Sequence, residues 1–321
     1  MAVLVDRVVG HDHQKDILSL ALQKKSLPHA MIFSGPEGIG KTQLAKALAQ
    51  SLVCEQNKLN PQLQACGYCG SCLRASHGQS ESIKIISPMQ SSQIKIDQIR
   101  DVLDFLSLSH EGQNRVIIID QAQALNPQAA NSLLKTLEEP FDRVFFILIT
   151  LDVRLLMPTI RSRSQVIPFH LMSTDQLKTI EPGCPHWVYK AARGSVSRLK
   201  ELSQDDLVVN RQEHLRFFES FWTDHNFLLS GMIKEFVKDR ANALKIVQDW
   251  LQFTRDLLYV KAGQVDYVIN SDFKPDYKKF DFITSERLQK FVTQLLRSEK
   301  ETDKLDLTLF FESLWVQYAR D

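Results

Sequence analysis

The sequence lacks the features of membrane and exported proteins. No uninterrupted apolar run reaches the ~20 residues that a membrane-spanning helix needs, and the opening residues, MAVLVDRVVGHDH, show no basic-then-apolar signal pattern. Net charge is also nearly absent, because 39 basic and 38 acidic residues leave a formal charge of +1. A polybasic nucleic-acid-binding tail is therefore excluded, so DNA would be met through a local face or an assembly. We expect a soluble cytoplasmic protein.

Cysteine is scarce, but four of the 5 cysteines are clustered. Cys54, Cys66, Cys69 and Cys72 follow the spacing C-x11-C-x2-C-x2-C, while Cys184 stands alone. An odd count in a reducing compartment argues against disulfides. Four thiolates at this spacing predict a closed, tetrahedral, structural Zn²⁺ site. Redox chemistry at the last pair and an iron–sulfur cluster are the alternatives, although nothing nearby suggests electron transfer.

The first half of the sequence alternates between two apolar patterns. Helical spacing covers residues 13–25, 41–53, 94–108 and 127–138. Continuous apolar runs lie within residues 29–35, 115–119 and 144–150. Such runs are typical of inner strands in a parallel sheet with helices on both faces. We therefore predict one α/β domain up to about Phe169, with the polar, glycine-rich residues 54–82 as an insertion.

After Phe169 the pattern becomes helical. Residues 170–205 form short helical segments broken by prolines, and from Asp206 onward aromatic and aliphatic stripes predict an all-α region. Residues 262–284 are a connector for which we predict no particular structure.

A phosphate-binding loop follows the first strand. Gly35, Gly40, Lys41 and Thr42 occupy the four fixed positions of the motif GPEGIGKT, which fits G-x-x-x-x-G-K-[ST] in full, and Gly38 is a further glycine inside the loop. The glycines let backbone N–H groups face phosphate oxygens, and the next helix adds its positive end. The lysine would contact the β- and γ-phosphates, and the threonine hydroxyl would ligate Mg²⁺. ATP with Mg²⁺ is the expected ligand.

The acidic pair that usually accompanies a phosphate loop in ATPases is incomplete in this sequence. Asp120 ends the strand VIIID and would hold Mg²⁺, but Gln121 follows where ATPases of this kind usually place a glutamate. An amide binds water without accepting its proton, which predicts nucleotide binding with poor hydrolysis. The alternative is that another carboxylate serves, and Glu138 and Glu139 are present elsewhere. Thr150, at a strand end, is a candidate γ-phosphate sensor.

Four stretches together resemble the bacterial DNA polymerase III clamp-loader subunits. They are HAMIFSGPEGIGKT, the four-cysteine insertion, ANSLLKTLEEP and LMPTIRSRSQVIPF. The resemblance is strong over residues 10–170, weak over 190–202, and limited to helical character in the last third. A generic phosphate-loop protein would not carry both NSLLKTLEEP and PTIRSR.

The resemblance implies an AAA+ fold in three parts. These are a nucleotide-binding α/β domain (1–169, zinc module 54–82), a small helical lid (170–205) and a helical collar (206–321) that joins neighbours in a ring of five. It also implies a role for Arg163, which on its own beside Arg161 would be ordinary surface charge. The arginine of the family's Ser-Arg-Cys motif completes the neighbour's ATP site as a finger, and here Ser164 replaces the cysteine. The lid's sensor arginine is displaced, since Arg198 lies one residue late after Gly194-Ser195.

Within the family, the delta-prime type fits best, as a finger donor with an impaired site of its own. The resemblance then implies gamma/tau and delta subunits as partners in a heteropentamer, with the sliding clamp and primed DNA reached through the complex. We expect weak or no ATPase activity and no polymerase activity. Two alternatives stay open: a gamma/tau-like motor that hydrolyses ATP at its own site, and a zinc-dependent DNA-binding regulator.

Overall fold

The computed structural model describes residues 3–58, 62–88, 92–107, 113–139, 141–301 and 306–319. Five strands among these residues form one parallel sheet with the order β2-β3-β4-β1-β5. The strands are β1 (Ala30–Ser34), β2 (Ile83–Ile86), β3 (Arg115–Ile119), β4 (Val144–Thr150) and β5 (Gln165–Pro168). The three apolar runs of the sequence are thus the three inner strands, as predicted.

Helices cover both faces of the sheet because each inner strand is apolar on both sides. Met31 and Phe33 of β1 pack on one face, and Ala30 and Ile32 pack on the other. The first face is covered by α1 (Asp12–Gln23) and α2 (Lys41–Val53), and the second by α4 (Ile96–Ser107), α5 (Pro127–Glu138) and α6 (Pro158–Arg161). Along the sequence, α3 (Gly70–Ser76) lies between α2 and α4 and belongs to the insertion. The predicted helices match these bounds closely, except that residue 108 of the predicted helix 94–108 and residues 59–61 of the insertion lie outside the described residues.

The chain divides into two compact units. The first consists of Met1–Pro182 with Arg193–Arg198, and the second of Gly183–Ala192 with Leu199–Asp321. The short helices α7 (Thr174–Ile180), α8 (His186–Ala192) and α9 (Val196–Leu202) follow the sheet domain. The three-part division at residues 169 and 205 stays a prediction.

The second unit is mostly helical. Apart from α8 and the end of α9, its α-helices among the described residues are α10 (Asp205–Thr223), α11 (Met232–Phe236), α12 (Arg240–Lys261), α13 (Lys274–Tyr277), α14 (Ser285–Glu301) and α15 (Leu307–Tyr318). Stacked and edge-on aromatic rings fill its core, with Trp250 in contact with Phe217, Phe218, Phe221 and Phe291. Within the described ranges, no helix is both long and apolar enough to cross a lipid bilayer.

The connector at 262–284 is held by one buried carboxylate. Asp256 on α12 is fully buried and accepts backbone N–H bonds from Ile269 (3.0 Å) and Asn270 (2.7 Å). The hydroxyl of Tyr277 also donates to it. A charge buried this deeply is stable only when its lone pairs are satisfied, and the connector supplies the donors.

Candidate nucleotide site and metal centre

The phosphate loop lies where β1 ends and α2 begins. Gly35 N–H donates to the carbonyl of Thr150 at 3.2 Å, which ties the loop to the end of β4. A Cβ on Gly35 would lie 2.4 Å from the carbonyl oxygen of Phe169, so no other residue fits there. Gly38 and Gly40 adopt φ angles of +71° and +103°, which favour glycine. The glycines of the motif therefore stand at positions where the conformation and packing of the loop favour glycine.

Lys41 is buried at the start of α2, with 6% of its surface exposed. Its Nζ donates to the carbonyl of Gly35 at 2.6 Å and to that of Pro36. Burial lowers the pKa of Lys41, while the nearby carboxylates of Asp120 and Glu37 oppose this change. The ammonium group thus lies inside the loop that would surround the phosphates, as the motif predicts.

Thr42 and Asp120 come together although they are far apart in the sequence. The Thr42 hydroxyl donates to Oδ2 of Asp120 at 3.0 Å. Asp120 is placed by β3, since its own N–H donates to the carbonyl of Ile86 on the neighbouring strand. A hydroxyl and a carboxylate at this spacing fit one hard divalent cation such as Mg²⁺.

The two remaining polar candidates differ in their surroundings. Gln121 adopts a left-handed conformation (φ 55°, ψ 50°) and has an exposed side chain. Thr150 is buried, pairs with Ser34 across β1 and β4, and donates its hydroxyl to the carbonyl of Asp152 at 3.0 Å. Thr150 is thus beside the start of the phosphate loop.

The Gly-Ser segment at the start of α9 also contacts the phosphate loop. Ser197 N–H donates to the carbonyl of Gly38 at 3.0 Å, and a Cβ on Gly38 would lie 2.5 Å from Oγ of Ser195. The side chain of Arg198, which follows, is exposed. Sequence reasoning noted this Gly-Ser segment for its arginine only and did not place its serines against the phosphate loop.

His11 is a further neighbour of the loop that the sequence analysis missed. Its Nε2 lies 2.6 Å from the carbonyl oxygen of Ile39, and its ring meets Phe169 edge-on. Burial is the main cause of its lowered pKa, and the hydrogen bond with the Ile39 carbonyl opposes it. Burial thus favours the neutral form of the ring. No local pattern marks this residue, because its contacts are distant in sequence.

The four clustered cysteines converge as their spacing predicts. Their Sγ atoms all lie within 4.8 Å of one another, and those of Cys66 and Cys72 are 3.8 Å apart. Thiolates at about 2.3 Å from a tetrahedral Zn²⁺ would be about 3.8 Å apart. Backbone N–H groups of Cys66, Cys69 and Cys72 each donate to a neighbouring cysteine sulfur at 3.4 Å. Burial raises the pKa of the Cys72 thiol, a cost that a bound cation would offset. The cluster could hold a metal ion.

The metal centre is joined to the helix of the phosphate loop. Cys54 caps the C-terminal end of α2, the helix that begins at Lys41. Gln50 on the same helix is fully buried, donates to the Cys72 carbonyl at 3.0 Å and accepts from Leu4 N–H at 2.8 Å. An ordered cysteine cluster therefore supports the end of α2.

Arg163 lies in the turn between α6 and β5, at the end of the sheet domain. Its Nη2 is 2.5 Å from Oε1 of Glu138, and its Nη1 donates to the Thr159 carbonyl and the Ser162 hydroxyl at 3.0 Å each. About a third of its side chain is exposed (34%). Glu138, the alternative general base, is thus paired with Arg163.

Known proteins resemble this chain over most or part of its length. A family model described as DNA polymerase III, delta subunit, matches residues 10–173. The delta' subunit of Bacillus subtilis is 29% identical to this chain, and the alignment covers 82% of each of the two proteins. The tau subunit of the same organism is 34% identical over 80% of this chain and 50% of its own. A gamma/tau subunit of Mycobacterium tuberculosis is 35% identical over 54% of this chain, which spans only 30% of that relative.

Among solved structures, a DNA polymerase III gamma-subunit-related protein of Thermotoga maritima has the same fold. The TM-score is 0.52 at 17% identity, covering 96% of this chain and 98% of that one. The expected AAA+ architecture, with a parallel sheet between two helical layers and a mostly helical C-terminal part, is confirmed. By the match of the family model to half of its length, the chain belongs to the DNA polymerase III delta-subunit family of clamp-loader proteins.

Proposed function

We propose that this protein is a delta-prime-type subunit of a DNA polymerase III clamp loader. It would act with gamma/tau and delta subunits in a heteropentamer that places the sliding clamp on primed DNA. One observation carries the proposal: the phosphate loop is complete but Gln121 follows Asp120, and a partly exposed Arg163 is held on the same domain. This combination suits a subunit that completes a neighbour's ATP site better than one that hydrolyses ATP itself.

In this proposal the chain's own site binds nucleotide. Backbone N–H groups between Gly35 and Gly40 face the phosphates, Lys41 balances their charge, and Thr42 with Asp120 holds Mg²⁺. Thr150 and Ser197, which is at the start of α9, lie beside the loop and would respond to the nucleotide. Gln121 orients water without removing its proton, so turnover at this site is slow.

The catalytic contribution is made in trans. Arg163 would donate N–H bonds to the phosphate oxygens of ATP bound by the adjoining subunit, where negative charge grows in the transition state. Arginine fingers contribute about 10³–10⁵ in rate to phosphoryl transfer in other NTPases. The cysteine cluster would bind one structural Zn²⁺, which supplies folding energy to the insertion and takes no part in the reaction.

ATPase assays of the purified chain and of the reconstituted complex test this function. We expect negligible ATP turnover by the chain alone. A complex that contains the Arg163→Ala variant should assemble normally but hydrolyse ATP slowly. The alternative function, a gamma/tau-like motor, is favoured by the intact phosphate loop and the similarity to tau subunits. In that case the isolated chain should hydrolyse ATP, and Lys41→Ala should abolish this activity. Normal turnover by the Arg163→Ala complex would remove the finger role.

A further inference from the structure

We infer that Glu138 is the positioning residue of the arginine finger, an inference that rests on the finger role of Arg163 proposed above. The two side chains meet at 2.5 Å, between the last residue of α5 and the turn after α6. Both groups are partly exposed, with 34% of Arg163 and 48% of Glu138 accessible to solvent. Ion pairs between partly exposed groups add little stability. The effect of this pair is therefore to fix the position of the Arg163 guanidinium.

The guanidinium has three contacts within the described residues, and they are of two kinds. The Thr159 carbonyl belongs to α6 and the Ser162 hydroxyl to the turn that follows it, so both lie in the chain segment that carries the arginine. Glu138 belongs to α5, so among these three contacts it alone ties the guanidinium to a second element of the domain. The three contacts occupy three of the five guanidinium N–H groups, which leaves two for an external phosphate.

The two elements that carry the pair are themselves fixed by the core. Leu133 and Leu137 of α5 are buried in the same apolar cluster as Ile160 of α6. Asn126 caps α5 at its start by accepting from Ala129 N–H. Because both supports are rigid, the ion pair holds the guanidinium in one direction before a neighbour arrives. A preset arginine loses less freedom on binding the transition state.

The test uses the reconstituted complex with only the ATP site beside this subunit left active. Steady-state kcat and KM for ATP are measured for Glu138→Ala, Glu138→Gln, Arg163→Ala and the double variant Glu138→Ala/Arg163→Ala. We expect Glu138→Ala to lower kcat about three- to tenfold with little change in KM, because the transition state is affected more than binding. Glu138→Gln keeps an acceptor oxygen at the same reach and recovers most of the loss.

The double variant separates positioning from structural damage. If Glu138 acts through Arg163, the double variant has the same kcat as Arg163→Ala alone. The adjacent and exposed Glu139, changed to alanine, is the matched control and leaves kcat unchanged. Thermal unfolding of the Glu138 variants stays near that of the wild type.

The possible failures are distinguishable. If Arg163→Ala lowers kcat but Glu138→Ala does not, the positioning role is wrong and the finger role stands. If Glu138→Ala raises kcat, the carboxylate masks the arginine and the inference is overturned. A further loss in the double variant would mean that Glu138 acts independently of Arg163. If Arg163→Ala has no effect, the finger role fails and the positioning role fails with it.

Discussion

Gln50 donates its side-chain amide to the carbonyl oxygen of Cys72 at 3.0 Å, within a fully buried site. This single bond joins the helix that begins at the phosphate loop to the fourth cysteine of the cluster. The same amide group accepts from Leu4 N–H, so the N-terminal segment is tied in as well. The cysteine cluster is thus a structural support of the α/β domain.

We expect the purified protein to contain about one Zn²⁺ per chain, as a site of four thiolates requires. Elemental analysis checks this, with iron measured in the same sample. Cys72→Ser should abolish the bound zinc and lower the melting temperature, because the insertion has little apolar core of its own. Cys184→Ser, at the one cysteine that is not part of the cluster, is the control and should keep the metal. Iron in place of zinc, or zinc-free protein with four free thiols, would contradict the site.

Gln50→Ala should reduce the free energy of unfolding by about 1–3 kcal/mol. The substitution leaves the Leu4 N–H and the Cys72 carbonyl without the buried partner that each has now. Urea denaturation measures the change. Gln43→Ala on the same helix removes an exposed side chain and should cost much less. Equal losses in the two variants would mean that the two buried hydrogen bonds of Gln50 add no stability beyond that of an exposed glutamine on the same helix.

The sequence predicted the parts of the domain that rest on local patterns. The helix 41–53 and the three inner strands follow from apolar spacing and from the phosphate-loop motif. Strand β2 was missed, because it has only four residues at the sheet edge and includes Lys84 and an exposed Ile85. Its polar content hides it from a search for runs that are apolar throughout.

Contacts between distant residues could not be predicted in the same way. His11 meets the loop at Ile39, and Ser197 meets it at Gly38, through bonds that leave no mark in local spacing. Only the folded sheet brings these segments together. The cysteine cluster was predictable because its spacing is itself a metal-ligand pattern.

Acid should destabilise the first unit in part through His11. Burial lowers its pKa below the ordinary value of 6.5, so the unfolded chain binds a proton more readily than the folded one. The stabilising effect of a neutral His11 is therefore complete above pH 6.5 and is lost as the pH falls through the lowered folded value. His11→Asn, which tolerates the positive φ, should flatten the fall in melting temperature below pH 6.5. The exposed His77 serves as control, and an unchanged slope in His11→Asn would count against the assignment.

Gln121→Glu should restore a general base but not, by itself, activity. In the proposed function each ATP site needs an arginine from the adjoining subunit, and the isolated chain has none to receive. We therefore expect the purified variant to hydrolyse ATP no faster than the wild type, while a complex containing it gains turnover at this subunit's own site. Lys41→Ala in the same background removes the buried ammonium group that we propose contacts the phosphates, and should abolish that gain. Single-turnover assays with and without partner subunits distinguish the cases. Fast hydrolysis by the isolated Gln121→Glu chain would indicate a self-sufficient motor, because the carboxylate alone would then have completed the site.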